Sequence, residues 1–456
     1  MASITGCTNL APAYQTPQAP VPAEWQGMAA SSAPVASHAW SSVVLDDQLR
    51  SVIALALEHN RDWQVAALNV AKARATYKIQ DAAQWPVLNL SGSHTASRTP
   101  SQANASGQTT YTRQNTLQVG ITAYEVDFFG RIANLSDAAL QSYLGTEQAQ
   151  QSTRLSLVAD VSNAWLTLRA DRTQLALARQ TLASQTQSLE RIAQSHRLGA
   201  SSALTVTQAQ TAADTARLAV ATYTAQVQQD LNALELLLGT TLPASLQPEP
   251  AVQPPPPAWT LPPASLSSQV LQQRPDVRNA EHQLQAANAN IGAARAALFP
   301  RISLTAAAGT ASTSLDKLFQ GGAWSFVPSV SLPLFDGGSS QAQVEVSRLN
   351  YQIQLATYEK AIQTAFREVA DALAVRSALQ ERIQAQQALV DGYQRAYDLS
   401  KARFEQGQDS YLTVLDAQRS LFSAQQALVS LHLTEQTNRV TLFKVLGGAW
   451  PDPAAG

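Results

Sequence analysis

The sequence carries little charge, one cysteine and no long apolar run, and each shortage excludes a class of protein. Charged residues are 14% of the 456 and the formal net charge is -2. This is too neutral for a nucleic-acid-binding protein, whose phosphate contacts need a clustered basic surface. A single cysteine excludes an internal disulfide framework. No run of about twenty apolar residues occurs, so we expect no transmembrane helix, and any membrane contact has to come from strands or from an attached lipid.

Residue types that bind metals or carry catalysis are scattered along the chain. No phosphate loop, nucleophile elbow or pair of carboxylates at catalytic spacing is present, and Met occurs only twice. The six histidines show no spacing typical of metal ligands; they are His38, His59, His94, His196, His282 and His432. We therefore expect no enzyme, no metal site and no bound cofactor.

The cysteine itself predicts a modification. Cys7 follows small residues in ITGCTN, a pattern typical of a lipoprotein processing site. We expect a covalent lipid such as palmitate on Cys7; an ordinary free cysteine in a disordered tail is the alternative. The Pro-, Ala- and Ser-rich segment that follows is aperiodic, and we interpret residues 1–40 as a lipid-anchored extended arm along the surface.

The sequence does contain a duplication. Residues 197–210 and 405–418 are identical at seven of fourteen positions, 208 residues apart. Each copy predicts a helix end, a turn at a glycine (Gly199 or Gly407) and a new helix after a serine (Ser202 or Ser410). Glycine accepts the left-handed backbone geometry that closes a helix, and serine caps the start of one. We therefore predict two repeats of one unit.

The spacing of matching residues sets the predicted boundaries. Asp62 and Asp276 lie 214 residues apart and are expected to cap matching helices. Beyond the strands the offset falls to 208, which predicts a second hairpin loop six residues shorter than the first. The predicted segments are repeat 1 at 41–239, with a β-hairpin at about 87–127 and a helical tip at about 197–202; a Pro-rich linker at 240–263; repeat 2 at 264–448, with a hairpin at about 301–333 and a tip at about 404–410; and a tail at 449–456.

Both hairpins alternate apolar and polar residues over runs of about ten, the length at which a tilted strand crosses a bilayer. Leu88 and Leu90, for example, alternate with Asn89 and Ser91. A soluble hairpin would show the same one-sided pattern. Four strands cannot close a barrel, for which about eight are needed, and an open edge in lipid leaves backbone groups unpaired. Several chains must therefore pool their strands around a wet lumen.

A long helix is predicted after each hairpin. In the first, apolar residues recur seven apart from Val161 to Leu189, the spacing of a coiled-coil seam. Roughly 65 helical residues give a rod of about 100 Å. In the second, the seam from Leu355 to Tyr397 is interrupted once, by Arg376. We predict an α+β membrane protein in which a strand barrel is extended by an α-helical conduit.

Five motifs in fixed order make the prediction more specific. They are YEVDFFGR from Tyr124, RPD from Arg274, GAARAALFPRISL from Gly292, LPLFDGG from Leu332 and YLTVLDAQRSLF from Tyr411. Together they resemble the outer membrane factor (TolC-like) family over essentially the whole chain, most closely its OprM-type efflux lipoproteins. The resemblance implies a homotrimer with a twelve-stranded β-barrel in the outer membrane, continuous with a periplasmic α-helical coiled-coil barrel. It also implies two partners, a periplasmic adaptor (membrane fusion protein) and an inner-membrane pump of the RND class, and a role in multidrug efflux and antibiotic resistance.

The resemblance further implies three groups of functional residues. A periplasmic gate is expected from Leu412, Asp416 and Arg419, although the last two also fit an ordinary exposed ion pair on one helix. In the first repeat Leu204, Gln208 and Thr211 stand at these positions. Adaptor contact is expected at the turns, where helix-turn chemistry alone would explain the glycines and serines; these residues are Arg197, Leu198, Gly199, Ser202, Arg403, Phe404, Gly407 and Ser410. Membrane-interface aromatics, for which packing at the junction of barrel and helices is the alternative, are Trp85, Phe128, Phe129, Phe299, Trp324 and Phe326.

These observations favour a passive exit duct of a tripartite efflux pump. Two alternatives remain, a type I protein-secretion duct of the same family and a structural coiled-coil protein. The predicted lipid favours efflux over secretion, and a coiled-coil scaffold has no use for four symmetrically placed strands. The exported substrates cannot be predicted, because a duct accepts what its pump delivers.

Overall fold

The computed structural model describes residues 9–25, 35–250, 255–262 and 267–451. Cys7, the predicted lipid site, lies outside the described residues. The chain divides into two compact units, the first made of Met1–Gln18, Asn69–Glu147 and Asn279–Glu359 and the second of Ala19–Leu68, Gln148–Arg278 and Lys360–Gly456. Each unit takes residues from both sequence repeats, because corresponding parts of the repeats pack together.

Helices make up most of the described chain. The α-helices are α1 (Trp40–Val43), α2 (Asp47–His59), α3 (Arg61–Ala82), α4 (Arg131–Arg197), α5 (Ala203–Leu238), α6 (Pro275–Ala296), α7 (Ser339–Glu405) and α8 (Tyr411–Val445). The strands are β1 (Val35–Ser37), β2 (Leu88–Thr99), β3 (Thr110–Glu125), β4 (Arg301–Ser312), β5 (Gly322–Ser331) and β6 (Ala449–Pro451). Helices α4 and α7 each run for 67 residues. None of the described helices is long and apolar enough to cross a membrane.

The first unit contains a four-stranded antiparallel sheet in the order β2-β3-β4-β5. The two hairpins join along β3 and β4, whose pairing runs from Asn115 opposite Ser312 to Glu125 opposite Ser303. Strands β2 and β5 are the edges of this sheet. Leu88 and Leu90 on β2 and Trp324 on β5 are exposed in the single chain, as expected for strands whose outer face meets lipid.

The six-residue difference between the hairpins lies in a strand, so the prediction of a shorter second loop is wrong. The loops at 100–109 and 313–321 are nearly equal in length, whereas β3 has 16 residues and β5 has 10. Strand β3 passes a register shift between Ile121 and Tyr124, where Ala123 has a φ of 51°, and continues to pair as far as Glu125. The bulge accounts for one of the six residues and the greater length of β3 for the others. A sequence offset cannot distinguish a longer strand from a longer loop.

Asn60, not Asp62, caps helix α3. The Asn60 side chain accepts a hydrogen bond from the Trp63 amide at 2.8 Å and donates one to the Leu237 carbonyl at 2.8 Å. Asp62 lies inside the first turn of α3, as Asp276 does in α6. The predicted cap is therefore wrong by two residues, because a cap needs an extended backbone just before the helix, and Asn60 has it.

The YEVDFFGR motif joins strand β3 to helix α4 in the first unit. The Glu125 carboxylate accepts two hydrogen bonds from Arg131, both at 2.7 Å, and two from Arg301, at 2.6 and 3.2 Å. Asp127 accepts from the backbone amides of Arg131 and Ala133 at 2.6 and 2.8 Å. One carboxylate thus ties two strands to a helix, and the other satisfies amides that a helix start leaves unpaired.

The LPLFDGG motif performs the same task in the second repeat with a single carboxylate. Asp336 accepts from the amides of Gly338 at 3.0 Å and Ser340 at 2.8 Å, at the start of α7. Hydrogen bonds from Ser340 lower the pKa of Asp336. The two strand-to-helix junctions therefore share a capping aspartate, while the arginine clamp belongs to the first alone.

Arg274 of the RPD motif holds three segments of the second unit together. Its guanidinium, with 8% of the side chain exposed, bonds Asp276, Glu368 of α7 and the Val445 carbonyl at the end of α8, at 2.7 to 3.0 Å. Burial alone lowers the pKa of Arg274, but the bonds to Asp276 and Glu368 outweigh it and raise the pKa. The arginine therefore stays charged and fully paired at a buried crossing of helices.

We expect Arg274→Leu to destabilise the second unit by roughly 3 kcal/mol, because removing one partner of a buried pair leaves carboxylates without their counter-charge. The thermal midpoint of the helical circular dichroism signal should fall by several degrees. Arg61→Leu is the matched control, since Arg61 is exposed and its side chain bonds Gln64 alone among the described residues, and its midpoint should not move. Equal midpoints for the two variants would contradict a structural role for Arg274.

Candidate gate and docking tips

Four helices meet in one apolar cluster beneath the two predicted tips, in the second unit. The cluster takes residues from the end of α4, the start of α5, the end of α7 and the start of α8. Its buried members are Ile192, Ala209, Tyr411, Val414 and Leu415, and the half-buried ones packed against them are Leu189, Val206, Ala212, Tyr397 and Phe404. The cluster gives both turns a common rigid base.

The first turn is closed by Gly199 in the left-handed conformation, with φ of 77°. Its amide bonds the His196 carbonyl and the next amide bonds the Ser195 carbonyl, both at 2.9 Å, which satisfies the last carbonyls of α4. Ser202 then caps α5, its side chain accepting from the Thr205 amide at 3.1 Å. This turn matches the predicted helix-turn chemistry in every part.

The second turn has the same backbone and a different cap. Gly407 has φ of 74°, and its amide bonds the Phe404 carbonyl at 2.9 Å. Ser410 occupies the cap position of α8, but its side chain accepts no bond from the helix backbone. Instead Arg403 donates two hydrogen bonds to Asp409, at 2.6 and 3.1 Å, which clamp the turn from outside. The two tips are therefore equal in shape and unequal in chemistry.

A buried polar chain crosses the cluster and fixes α8 against α4. The Tyr411 hydroxyl donates to Gln185 Oε1 at 3.2 Å, and Gln185 Nε2 donates to Gln418 Oε1 at 2.5 Å. Burial raises the pKa of Tyr411 to about 12, so the hydroxyl keeps its proton and remains a donor. The sequence analysis missed Gln185 and Gln418, which stand among many glutamines, most of them exposed or half-buried, and nothing in the local sequence marks these two as buried.

The predicted gate residues lie on the exposed stripe of α8. Leu412 is 46% exposed, and the side chains of Asp416 and Arg419 are 58% and 73% exposed. Asp416 and Arg419 form an ion pair within the helix. Tyr411, Leu415 and Gln418, one position away from each, are buried. Within one chain, therefore, the face of α8 that carries the gate residues is only partly covered by the described residues.

Counterparts from the two repeats line one cavity. A space of about 310 Å³ between α4, α5 and α8 is walled mainly by apolar atoms, with Gln208 and Thr211 on one side and Leu412 and Arg419 on the other. Asp416 and Leu204 do not line it. The two repeats correspond at six positions here, 204, 208 and 211 in the first and 412, 416 and 419 in the second. Four of the six side chains therefore lie together, beside the exposed face of α8 that carries the gate residues.

The other predicted tip residues separate into exposed and structural groups. Arg197 and Leu198 are exposed. Phe404 is half-buried against Tyr411, with ring centroids 5.3 Å apart, so its contacts are internal. Among the described residues no group of three or more His, Cys, Asp or Glu side chains is placed to hold a metal ion.

The predicted membrane-interface aromatics divide in the same way within the first unit. Phe129 and Phe299 stack with centroids 4.7 Å apart, which is packing between the start of α4 and the end of α6. Trp85, Phe128, Trp324 and Phe326 are exposed in the single chain. Phe299 is also 40% exposed, so packing at the strand–helix junction accounts for only part of its surface, and the interface role stays a prediction for all six residues.

Comparison with known proteins gives one consistent result. Residues 52–240 and 266–448 match the outer membrane efflux protein family, once for each repeat. The chain is 46% identical over 457 residues to the probable efflux pump outer membrane protein TtgC of Pseudomonas putida, covering 98% of this chain and 94% of that protein.

Two solved structures show the same fold. A membrane protein from Pseudomonas aeruginosa is 39% identical, with a TM-score of 0.91 over 97% of this chain and 98% of that one. The open state of the Neisseria gonorrhoeae MtrE outer membrane channel is 32% identical, with a TM-score of 0.85 over 96% and 98%.

The comparisons confirm the resemblance, the fold class and the location that the sequence predicts. Proteins of this kind are trimeric outer-membrane channels that work with efflux pumps, in which sheets and long helices are combined as they are here. The chain belongs to the outer membrane efflux protein family and is an outer-membrane exit duct for efflux.

Proposed function

We propose that the helix ends of the second unit form the gated periplasmic end of this duct. In this proposal Leu412, Asp416 and Arg419 narrow the opening, and the two turns dock onto a periplasmic adaptor that connects the duct to an inner-membrane pump of the RND class. In this proposal the duct itself is passive.

One observation carries the gate proposal. Leu412, Asp416 and Arg419 share one stripe of α8 at spacings of four and three, and the stripe next to it is fixed by the buried chain from Tyr411 to Gln418. The stripe with the gate residues is thus held on a rigid helix face while its side chains stay about half exposed or more in the single chain. In a trimer the same stripe occurs three times around one axis.

The strength of the ion pair sets how firmly the gate closes. Asp416 and Arg419 pair along the helix and are more than half exposed, so each pair contributes only about 0.5 kcal/mol. A pair within one helix is present whether the duct is open or closed, so in this proposal the bias arises where these side chains reach a neighbouring copy. Three such contacts of about 0.5 kcal/mol each bias the closed state by about 1.5 kcal/mol, which is roughly tenfold in population. A closure this weak can be reversed by the binding of a partner.

The turns support the docking proposal by their shape and exposure. Gly199 and Gly407 have no atoms within 4 Å of where a Cβ would stand, so both turns lie open to a partner. Arg197 and Leu198 beside the first turn are exposed as well. A rigid cluster below and an open surface above suit a docking site.

Removing the gate pair should make the isolated trimer leaky. For Asp416→Ala with Arg419→Ala we expect several-fold higher conductance in planar bilayers, because the tenfold bias toward closure is lost. The matched control is Asp214→Ala with Arg217→Ala, a pair on α5 at the same spacing and with similar exposure; Gln208→Ala is a second control. Unchanged conductance in the gate variant would leave Asp416 and Arg419 as an ordinary surface pair.

A branched side chain at either turn glycine should impair export without preventing trimer formation. Gly199→Val and Gly407→Val place a Cβ at positive φ, which strains the turn by roughly 1–2 kcal/mol and changes the surface offered to the adaptor. Crosslinking to the adaptor in the cell measures docking. Gly392→Val on α7 is the control, because Gly392 has open space and no positive φ. If the turn variants crosslink to the adaptor as efficiently as the parent does, the two glycines have a structural role only.

We propose lipidation of Cys7 from the sequence pattern around it. Cys7→Ser should abolish fatty-acid labelling, while the channel should still insert, because burial of strands in lipid stabilises the protein far more than one anchor. Labelling that persists in Cys7→Ser would place the lipid elsewhere. Loss of insertion would show that the anchor is needed for assembly.

A further inference from the structure

Arg376 occupies a position that calls for an apolar side chain. It stands seven residues after Val369 and seven before Ile383 in the seam of α7, where Ile362 and Val369 are buried. A guanidinium does not lose its charge in a protein, and burying it is unfavourable unless a counter-charge is present. The residue therefore needs an explanation that coiled-coil packing does not supply.

Among the described residues Arg376 has no carboxylate within ion-pair distance. Its one assigned hydrogen bond goes from Nη1 to the Pro262 carbonyl at 3.2 Å. Burial and the nearby positive charge of Arg439 both lower the pKa of Arg376. Arg376 and Arg439 line the same cavity, and among its lining residues Glu435 is the one carboxylate, so two guanidinium groups share a single acid.

The guanidinium of Arg439 on α8 has partners for only some of its N–H groups. Its Nη2 donates to Glu435 Oε1 at 2.8 Å and its Nη1 to the Trp259 carbonyl at 3.1 Å. Its Nε is buried and has no hydrogen-bond partner among the described residues. Because Glu435 already pairs with Arg439, the positive charge of Arg376 has no counter-charge of its own.

A buried histidine lies at the same place. The His432 side chain is 7% exposed, and its Nδ1 lies 3.9 Å from Glu435 Oε2, beyond hydrogen-bond distance. Its Nε2 is buried with no partner among the described residues. His432 and Arg439 lower the pKa of Glu435, so this carboxylate stays charged and keeps its place beside Arg439.

These groups line one cavity of about 520 Å³ between α7, α8 and the segment at Leu261. The charged residues on its wall are Arg376, Arg439 and Glu435, which leaves an excess of positive charge, and His432 adds a further nitrogen. The Asn438 side chain bonds the Ala372 carbonyl at 2.9 Å and holds the two helices at a fixed spacing one turn from Arg376. The cavity is thus built on rigid elements and is polar where a helix seam is normally apolar.

We propose that this cavity binds an oxyanion of the phosphate type, held by Arg376 and Arg439 with His432 beside it. A phosphate offers several acceptor oxygens to donors that converge from two helices, and planar guanidinium groups match its geometry. The volume exceeds that of free phosphate, so an organic group attached to it also fits. The site lies away from the gate residues and its existence does not rest on the proposed gate.

Calorimetry on the trimer in neutral detergent tests the proposal, with inorganic phosphate as the probe and ionic strength held constant with chloride. We expect saturable binding of one phosphate per chain, and binding at least tenfold weaker in Arg376→Met, which removes the charge and suits the seam. Arg382→Met, at an exposed position on the same helix, should bind like the parent. The proposal is overturned if the parent shows no saturable phosphate binding, as when acidic side chains of a neighbouring copy fill the cavity. It is also overturned if Arg376→Met binds phosphate as tightly as the parent.

Thermal stability separates binding from a structural role. Without phosphate the midpoint of Arg376→Met should equal or exceed that of the parent, and phosphate should raise only the parent's midpoint. A lower midpoint for Arg376→Met together with no phosphate effect on the parent would make Arg376 structural. Glycerol 3-phosphate distinguishes the source of the anion: tighter binding than inorganic phosphate indicates an attached organic group, and equal binding indicates the free ion. Acetate binding as tightly as phosphate would overturn the assignment to phosphate.

Discussion

The unpaired edges of β2 and β5 are the constraint on which the architecture depends. In hydrocarbon an unsatisfied backbone N–H or C=O is unfavourable by several kcal/mol, and a four-stranded sheet ordered β2-β3-β4-β5 exposes two rows of them. A single copy cannot remove these edges, whereas three copies joined edge to edge can. Trimer formation is therefore a requirement of the strands, and the long helices, the turns and their sites follow from a fold that is complete only as a trimer.

The duplication supplied two copies of each part, and the copies have since taken different roles. Both turns keep a left-handed glycine, but the first is capped by Ser202 and the second is clamped by Arg403 and Asp409. Position 208 is Gln where position 416 is Asp, so charge at the proposed gate comes from one repeat only. The shared backbone keeps the helix ends on one apolar cluster, and the side chains differ where the cluster does not constrain them.

Two arginines inside the helical part show how differently a charge can be accommodated there. Arg274 is surrounded by acids and a carbonyl, and its role is to hold helices together. Arg376 stands at a seam position with a carbonyl alone, so an external anion explains it better than packing does. The two arginines belong to the same unit and differ in the groups they bond. The role of a buried arginine is therefore inferred from its bonding partners and not from its burial alone.

The sequence by itself determined the duplication, the hairpins, the long helices and the family, because these depend on periodicity, on glycine and proline, and on motifs that are local along the chain. Tertiary structure alone decided which residues meet. It placed the extra residues of the first hairpin in β3 instead of the loop, moved the α3 cap from Asp62 to Asn60, and buried Gln185 and Gln418 among many similar glutamines. Arg376 was visible as a break in the seam, yet its neighbours Arg439 and His432 lie on another helix. Contacts between residues far apart in sequence leave no periodic trace, and for that reason the structure was needed to find them.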